Sequence, residues 1–277
     1  MGFRINTNVN SIAAQRTLGN NTNDMSNSLA KLSSGSRINR AADDAAGLAI
    51  SEKLRSQIVS TKQAERNAND GISMIQTAEG GLNEVSNILT RLRELSVQAA
   101  SDTIGDSERQ FSNMEYQNLK EEIQRIAQVT EFNGKSLLDG SGSQYDLQIG
   151  IHNDAFEDRL SYNAEVTNAS VSALGVANLD VGSQEGARES LERLDDAIQS
   201  ISGQRAELGA IQNRLTSTIQ NLQVSSENQE AANSRIRDTD YAAETANRAK
   251  LQILQSAGTS VLAQANADGQ NALGLIG

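Results

Sequence analysis

Between Ile75 and Ala99 the chain carries an unbroken heptad seam. Ile75, Ala78, Leu82, Val85, Leu89, Leu92, Ser96 and Ala99 follow at alternating steps of three and four, and only Ser96 is polar. That spacing puts all eight on one stripe of an α-helix, a stripe that is buried by lying along another helix at coiled-coil geometry. A second seam of the same period comes later: Leu191, Leu194, Ile198, Ile201, Arg205, Leu208, Gln212, Leu215, Ile219 and Leu222. Matched length and period predict that the two helices lie side by side, antiparallel. Proline, which breaks helix interiors, is absent from the chain. The first helix can therefore run from about residue 45 to 100, roughly 80 Å at 1.5 Å per residue, and the last long one from about Arg188 to Ile236.

The stretch between the seams is more varied. Ser101 to Ser107 is rich in turn residues, with Asp106 or Ser107 as candidate N-cap of a second helix, along which Tyr116, Leu119, Ile123 and Ile126 keep the helical spacing. Asn133-Gly134 is hairpin-turn chemistry. Tyr145, Leu147 and Ile149 alternate with polar residues as a half-buried strand does. Residues 132–180 are expected to form a small β-rich insert within a helical bundle spanning 46–235. Gly80-Gly81, inside the first seam, costs about 1 kcal/mol per glycine against alanine; close approach of a neighbouring helix is the expected reason.

The two ends are weaker. Residues 1–35 carry a sparse stripe of Ile5, Val9, Ile12, Leu18, Met25, Leu29 and Leu32; residues 242–277 are alanine-rich, with Ile253, Leu254, Val261, Leu262, Leu273, Leu275 and Ile276. Neither stripe can hold an isolated helix against conformational entropy. Both ends are expected to be mobile in the free monomer and to order by packing on each other and on neighbours. Composition agrees: hydrophobic residues make up 37% and aromatics 3%, against about 45–50% apolar in ordinary globular chains, so the core is thin or is completed by other chains. The fold class is thus mainly α: long antiparallel helices in a coiled-coil-like bundle, a small β-hairpin insert, and paired terminal helices.

Charge excludes other classes. Residues 1–40 carry +4, residues 41–235 carry −14 and residues 236–277 carry −1. An acidic middle repels nucleic acid and anionic membrane, and the basic arm lacks aromatic interleaving, so no nucleic-acid partner is expected. No stretch approaches the roughly 20 apolar residues of a membrane span, so no membrane insertion is expected. Cysteine is absent. His152, the sole histidine, lies near Asp154, Glu157 and Asp158, a set that reads as solvated loop charge. With no phosphate-binding glycine loop, nucleophile elbow or zinc spacing, neither an enzyme nor a cofactor is expected. Asp43-Asp44 beside Arg37 and Arg40 reads first as helix-start acids, and alternatively as a salt-bridged linker.

The string LAKLSSGSRINRAADDAAGLAISEKL, Leu29 to Leu54, closely resembles the signature of bacterial flagellins. The likeness continues in TAEGGLNEVSNILTRLRELSVQAA (Thr77 to Ala100), FNGKSLLDG (Phe132 to Gly140), LQIG (Leu147 to Gly150) and LQILQSAGTSVLAQAN (Leu251 to Asn266). The resemblance implies a minimal flagellin without outer variable domains. In it, residues 1–35 with 242–277 form an inner layer, 36–45 with 236–241 form linkers around Arg37, Arg40, Asp43 and Asp44, and 46–235 form the outer bundle. Ile5, Val9, Ile12, Leu18, Leu29, Leu32, Ile253, Leu254, Val261, Leu262, Leu273 and Leu275 would carry self-assembly. Implied partners are further copies of the chain in a helical homopolymer, the flagellar export apparatus, an export chaperone at the C-terminal segment, and the filament cap and hook-associated proteins. Arg91, Leu95, Gln98 and Glu115 match a patch sensed by an innate Toll-like receptor in this family; the plainer reading is a contact between subunits. The expected role is a secreted structural subunit of the flagellar filament in swimming motility, with a hook–filament junction protein as the alternative. The tail ADGQNALGLIG departs from the family, which usually has a proline-containing segment and a Leu-Leu ending.

Overall fold

A computed structural model describes residues 7–274, the side chains of 268–274 excepted. The order of elements is helix α1 (Val9–Ser34), α2 (Ala45–Ala99), α3 (Asp106–Val129), strands β1 (Glu131–Phe132), β2 (Lys135–Ser136), β3 (Gln144–Gln148) and β4 (Arg159–Asn163), then α4 (Gln184–Arg237) and α5 (Tyr241–Gly274). Among the described residues no helix is long and apolar enough to cross a membrane. The mainly helical fold read from the sequence is the observed one. Helix starts follow their chemistry: Asn8 caps α1, Asp44 caps α2, Ser183 caps α4 and Asp240 caps α5, each side chain accepting from backbone N–H groups of the first turn. Helix α3 begins without such a bond; its N-cap is Gly105, one residue before the cap residues expected.

Packing divides the chain into two compact units, Val59–Glu227 and Met1–Ile58 with Asn228–Gly277, the boundaries falling inside α2 and α4. Within the first of these, all eight residues of the Ile75–Ala99 seam are buried. The α2 and α4 segments run antiparallel there: Arg93 pairs with Asp195 at 2.6 Å, Glu79 with Arg205 at 3.9 Å, and Gln223 Nε2 donates to Glu65 Oε1 at 2.7 Å. On α4 the fully buried line is Ala187, Leu194, Ile201, Leu208 and Leu215, flanked by Ser190, Ala197 and Ile211. Leu191, Ile198, Arg205, Gln212, Ile219 and Leu222 are only half-buried. The heptad period is as expected, but its second line is displaced by one residue, to Ser190, Ala197 and Ile211; at Ser190 the segment before α4 packs close, Oγ donating to Asp180 O at 3.2 Å.

Both short sheets are antiparallel hairpins. Asn133 and Gly134 carry φ of 51° and 73° between β1 and β2, the left-handed pair that a two-residue hairpin needs. In the other hairpin Tyr145 pairs with Tyr162 and Leu147 with Leu160. Tyr162 is buried, donates from its hydroxyl to Leu137 O at 2.9 Å, and has its pKa pushed up to about 12 by that burial. Residues 164–183 contain no strand; their turns are held by a buried cation, Lys120, whose Nζ donates to Ala177 O (2.7 Å) and Leu179 O (2.8 Å). Gly81 is needed for close approach, though of hairpin-flanking residues rather than of a helix: a Cβ there would meet Leu138 Cδ1 at 2.7 Å and Thr130 Oγ1 at 2.8 Å. At Gly80 a Cβ would meet nothing within 4 Å. Asp158 also differs from its expectation as solvated charge. It is buried, and its carboxylate accepts from the N–H groups of His152 (3.2 Å) and Asp154 (3.0 Å), organising the loop that carries the histidine.

Candidate functional site

In the unit containing both chain ends, α1 and α5 lie antiparallel. Asn8 Nδ2 donates to Ala265 O at 2.7 Å, Ser11 Oγ to Asn266 Oδ1 at 2.8 Å, and Tyr241 OH to Leu32 O at 2.9 Å. The residues these helices bury are Ser11, Ser28, Leu251 and Ala265. Three of the four are small and remove little apolar area from water; Leu251 is the one large apolar side chain among them. Other large apolar side chains are left in water: Val9 is 61% exposed and Ile253 70%, and Ile12, Leu29, Leu254 and Val261 are exposed too. Leu18, Leu32 and Leu262 are half-buried. Ile5 and Leu275 lie outside the described residues, as does the side chain of Leu273. Two neighbouring helices thus carry large apolar groups that the chain leaves 40–70% exposed, each forgoing roughly half of the about 1.5–3 kcal/mol that full burial brings. Large apolar groups left in water along two paired helices make this pair the candidate interaction site.

The segments between these helices and the long ones form a clasp. Gly35 ends α1 at φ 69°, a left-handed C-cap. The two strands then cross: Arg37 N donates to Arg237 O at 2.6 Å and Thr239 N to Gly35 O at 2.9 Å. The Arg37 guanidinium donates to Ile236 O from Nε (3.1 Å) and Nη2 (2.8 Å), and reaches Asp44 Oδ2 at 3.4 Å. A cation is thereby held at the C-terminal end of α4, where the helix dipole favours it. Asp44 has both of the roles weighed for it, ion-pairing Arg37 and capping α2 by accepting from Gly47 N at 2.8 Å. Asp43 Oδ2 accepts from the backbone N–H of Asn39 (3.0 Å) and Arg40 (2.9 Å); those bonds, Arg40's first, hold its carboxyl below the ordinary range. Arg40 joins through its backbone and is otherwise exposed. Missed by the sequence reading were Ile38, buried beneath the clasp, and Arg237, which reaches Glu52 at 2.6 Å. The partner of an isolated Ile or a charge 185 residues away in sequence leaves no local pattern.

On the other unit Arg91 bridges two helices. Nη1 donates to Glu94 at 3.0 Å, and Nε and Nη2 donate to Glu115 Oε1 at 3.0 and 2.9 Å; these bonds, Glu94's first, raise the guanidinium pKa. Gln98 and Glu115 are exposed beside it. Leu95 is not presented with them. It is 2% exposed and belongs to the apolar core, because steps of four and three from an exposed residue carry the stripe over the edge of the buried seam.

Comparison with known proteins gives the class. The chain matches the family model for the bacterial flagellin N-terminal helical region over residues 5–143, and that for the bacterial flagellin C-terminal helical region over residues 191–276. It is 44% identical to a flagellin of Halalkalibacterium halodurans, over 98% of this chain and 99% of that one. It is 43% identical to the Bacillus subtilis flagellin, over 99% and 100%, and 43% identical to the flagellar filament 33 kDa core protein of Treponema phagedenis, over 98% and 99%. The crystal structure of Bacillus cereus flagellin superimposes with TM-score 0.51 at 33% identity, over 57% of this chain and 88% of that one. The chain belongs to the bacterial flagellins.

Proposed function

We propose that this chain polymerises through the outward apolar stripes of α1 and α5, and that order at its ends and growth of the polymer are one event. As a flagellin it is a structural subunit of the flagellar filament. In this reading residues 1–35 with 242–277 form the inner layer of the tube, 46–235 the outer helical bundle, and 36–45 with 236–241 the linkers joining them. Val9, Ile12, Leu29, Ile253, Leu254 and Val261 become buried between copies. The residues of the clasp, Arg37, Arg40, Asp43 and Asp44, fix the angle at which the layers join. The contacts are heterologous and do not close on themselves, which generates a helical tube rather than a ring. The observation that carries the reading is the poor closure of the α1–α5 pair, which buries Ser11, Ser28, Ala265 and one large apolar side chain, Leu251, while Val9, Ile12, Leu29, Ile253, Leu254 and Val261 stay exposed.

The filament reading is favoured over a hook–filament junction protein because relatives matching nearly the whole chain are flagellins and filament core proteins. The subunit would act outside the cell, delivered unfolded by the flagellar export apparatus, with a chaperone on its C-terminal segment beforehand and the filament cap and hook-associated proteins at its destination. Sensing by a Toll-like receptor at Arg91, Gln98 and Glu115 is the weaker part of this reading, since Leu95 is buried. The test is removal of residues 1–35. The remaining chain is expected to stay folded in its bundle and soluble, and to form no filaments under conditions that polymerise the full chain. Filaments of unchanged diameter from the truncated chain would overturn the assignment.

A further inference from the structure

The turn between β1 and β2 holds the one Asn-Gly dipeptide in the chain, Asn133-Gly134. Both residues are exposed, and a Cβ on Gly134 would meet nothing within 4 Å. In a flexible chain such a pair reacts with itself. A base takes the proton of Gly134 N and the nitrogen attacks Asn133 Cγ. The Cγ–Nδ2 bond breaks and ammonia leaves, so that the side chain closes on the main chain as a five-membered imide. Glycine favours this step because no side chain shields its nitrogen. Water then opens the ring at either carbonyl. Opening at the former side-chain carbonyl gives aspartate. Opening at the main-chain carbonyl gives isoaspartate, in which the chain continues through Cγ and is longer by the Cβ carbon.

The fold opposes the first step. Asn133 and Gly134 have φ of 51° and 73°, the left-handed pair of a type I′ turn, whose first central residue has ψ of about 30°. At that ψ the Cβ of Asn133 lies about 150° round the Cα–C bond from Gly134 N, whereas the imide ring needs the two nearly eclipsed. The flanks of the turn are pinned. Glu131 pairs with Ser136 and Phe132 with Lys135. Tyr145 OH donates to Ser136 O at 3.1 Å, Tyr162 OH to Leu137 O at 2.9 Å, and Leu137 N to Thr130 O at 3.1 Å. Leu137 and Leu138 are fully buried. One hairpin thus displays the reactive pair to water and holds it out of reaction. Its two products would not fit alike. Aspartate suits the first position of this turn as asparagine does, while isoaspartate adds a backbone atom to a two-residue loop and breaks the register.

We propose that Asn133 is a self-modification site locked by its own hairpin: the folded chain keeps the asparagine, and a chain held unfolded converts it to aspartate and isoaspartate. The site stands independently of the filament reading. The test incubates the full-length, unpolymerised chain at mildly alkaline pH, folded or in denaturant, and follows the tryptic peptide Ile126–Lys135 by mass spectrometry. In denaturant Asn133 is expected to convert ahead of every other asparagine, into both products. In the folded chain conversion should be slower by about tenfold or more, the factor that a local opening free energy of about 1.4 kcal/mol sets. Tyr145→Phe removes the hydroxyl that holds Ser136 O; it should speed conversion in the folded chain and leave the rate in denaturant unchanged. Returned to native buffer, aspartyl chains should regain amide protection at Leu137 and isoaspartyl chains should not. Another asparagine converting first in denaturant would overturn the site. Equal rates in folded and denatured chain, or a folded Tyr145→Phe chain no faster than the unsubstituted one, would overturn the lock. Isoaspartyl chains protected as well as aspartyl ones would overturn the loss of register.

Discussion

The bundle unit and the terminal pair are built from the same element, the striped helix, and use it in opposite ways. Between residues 59 and 227 the stripes face inward: Leu82, Leu89, Leu92, Leu194 and Ile201 are fully buried against one another and against Tyr116 and Ile123. In α1 and α5 the buried positions are two serines, an alanine and a single leucine, Leu251, and six large apolar residues, Val9, Ile12, Leu29, Ile253, Leu254 and Val261, are left exposed. A stripe satisfied within the chain is a core; a stripe left open is an interface waiting for another chain. Among the described residues the buried apolar core cluster accordingly runs from Ala68 to Leu215. The thin composition read from the sequence is the sum of these two regimes rather than a uniformly weak fold.

The sharpest way to break that contrast is to make matched truncations. Leu92→Ala or Leu194→Ala should destabilise the bundle by about 2–5 kcal/mol, as deletion of fully buried leucines does. Ile253→Ala should change monomer stability by less than about 0.5 kcal/mol. Denaturant melts of the unpolymerised protein decide; equal losses would erase the distinction. Next in size is Lys120→Met. It removes the donor to Ala177 O and to the buried Leu179 O, an expected loss of about 1–3 kcal/mol with amide protection reduced first over residues 174–182. Within the clasp, Gly35→Ala forces a left-handed conformation on a residue with a Cβ, costing about 1 kcal/mol. The loss should appear as faster hydrogen exchange at Arg37 and Thr239, with the bundle unaffected.

The smallest effect expected is that of pH. The Asp195 carboxyl is held below its ordinary 3.8 by Arg93, and Glu122 is likewise lowered by Arg125; Asp43 in the clasp is lowered by the Arg40 and Asn39 N–H groups. A depressed folded-state pKa adds stability that is fully present above the unfolded value and is lost as pH falls through the folded one. Melting temperature should therefore hold steady from neutrality to about pH 5 and decline below about pH 4. The Asp195→Asn variant should show a shallower decline; an unchanged slope would mean that the Arg93 pair contributes nothing in water.

Much of the fold was legible because long helices repeat their instructions. Helix α2, Ala45–Ala99, was bounded to within a residue, since the seam from Ile75 to Ala99 fixes its second half and no proline interrupts the chain before it. The second line of α4 was misplaced because the sequence reading preferred the larger Leu191 and Ile198, whereas packing chose Ser190 and Ala197 to admit neighbours that only the folded chain supplies. Lys120 and Arg109, which the sequence reading did not single out, are buried, each donating to backbone carbonyls distant from its own turn; no spacing rule encodes a partner of that kind. Among the site residues, the outward stripes of α1 and α5 were visible as apolar positions, but that they face away from each other needed the structure. Leu95 shows the reverse error, a residue carried to an exposed patch by family resemblance when it is 2% exposed and lies beside the buried seam.

The most direct test of the central claim uses the double variant Ile12→Ser with Ile253→Ser, comparing its critical concentration for polymerisation with that of the unsubstituted chain by sedimentation. Both side chains are exposed in the single chain, so the monomer's melting curve should be unchanged while the critical concentration rises by at least tenfold, about 1.4 kcal/mol of lost contact between copies. An unaltered critical concentration together with an unaltered melting curve would show that the open stripes of the terminal helices are not the surface on which the filament is built.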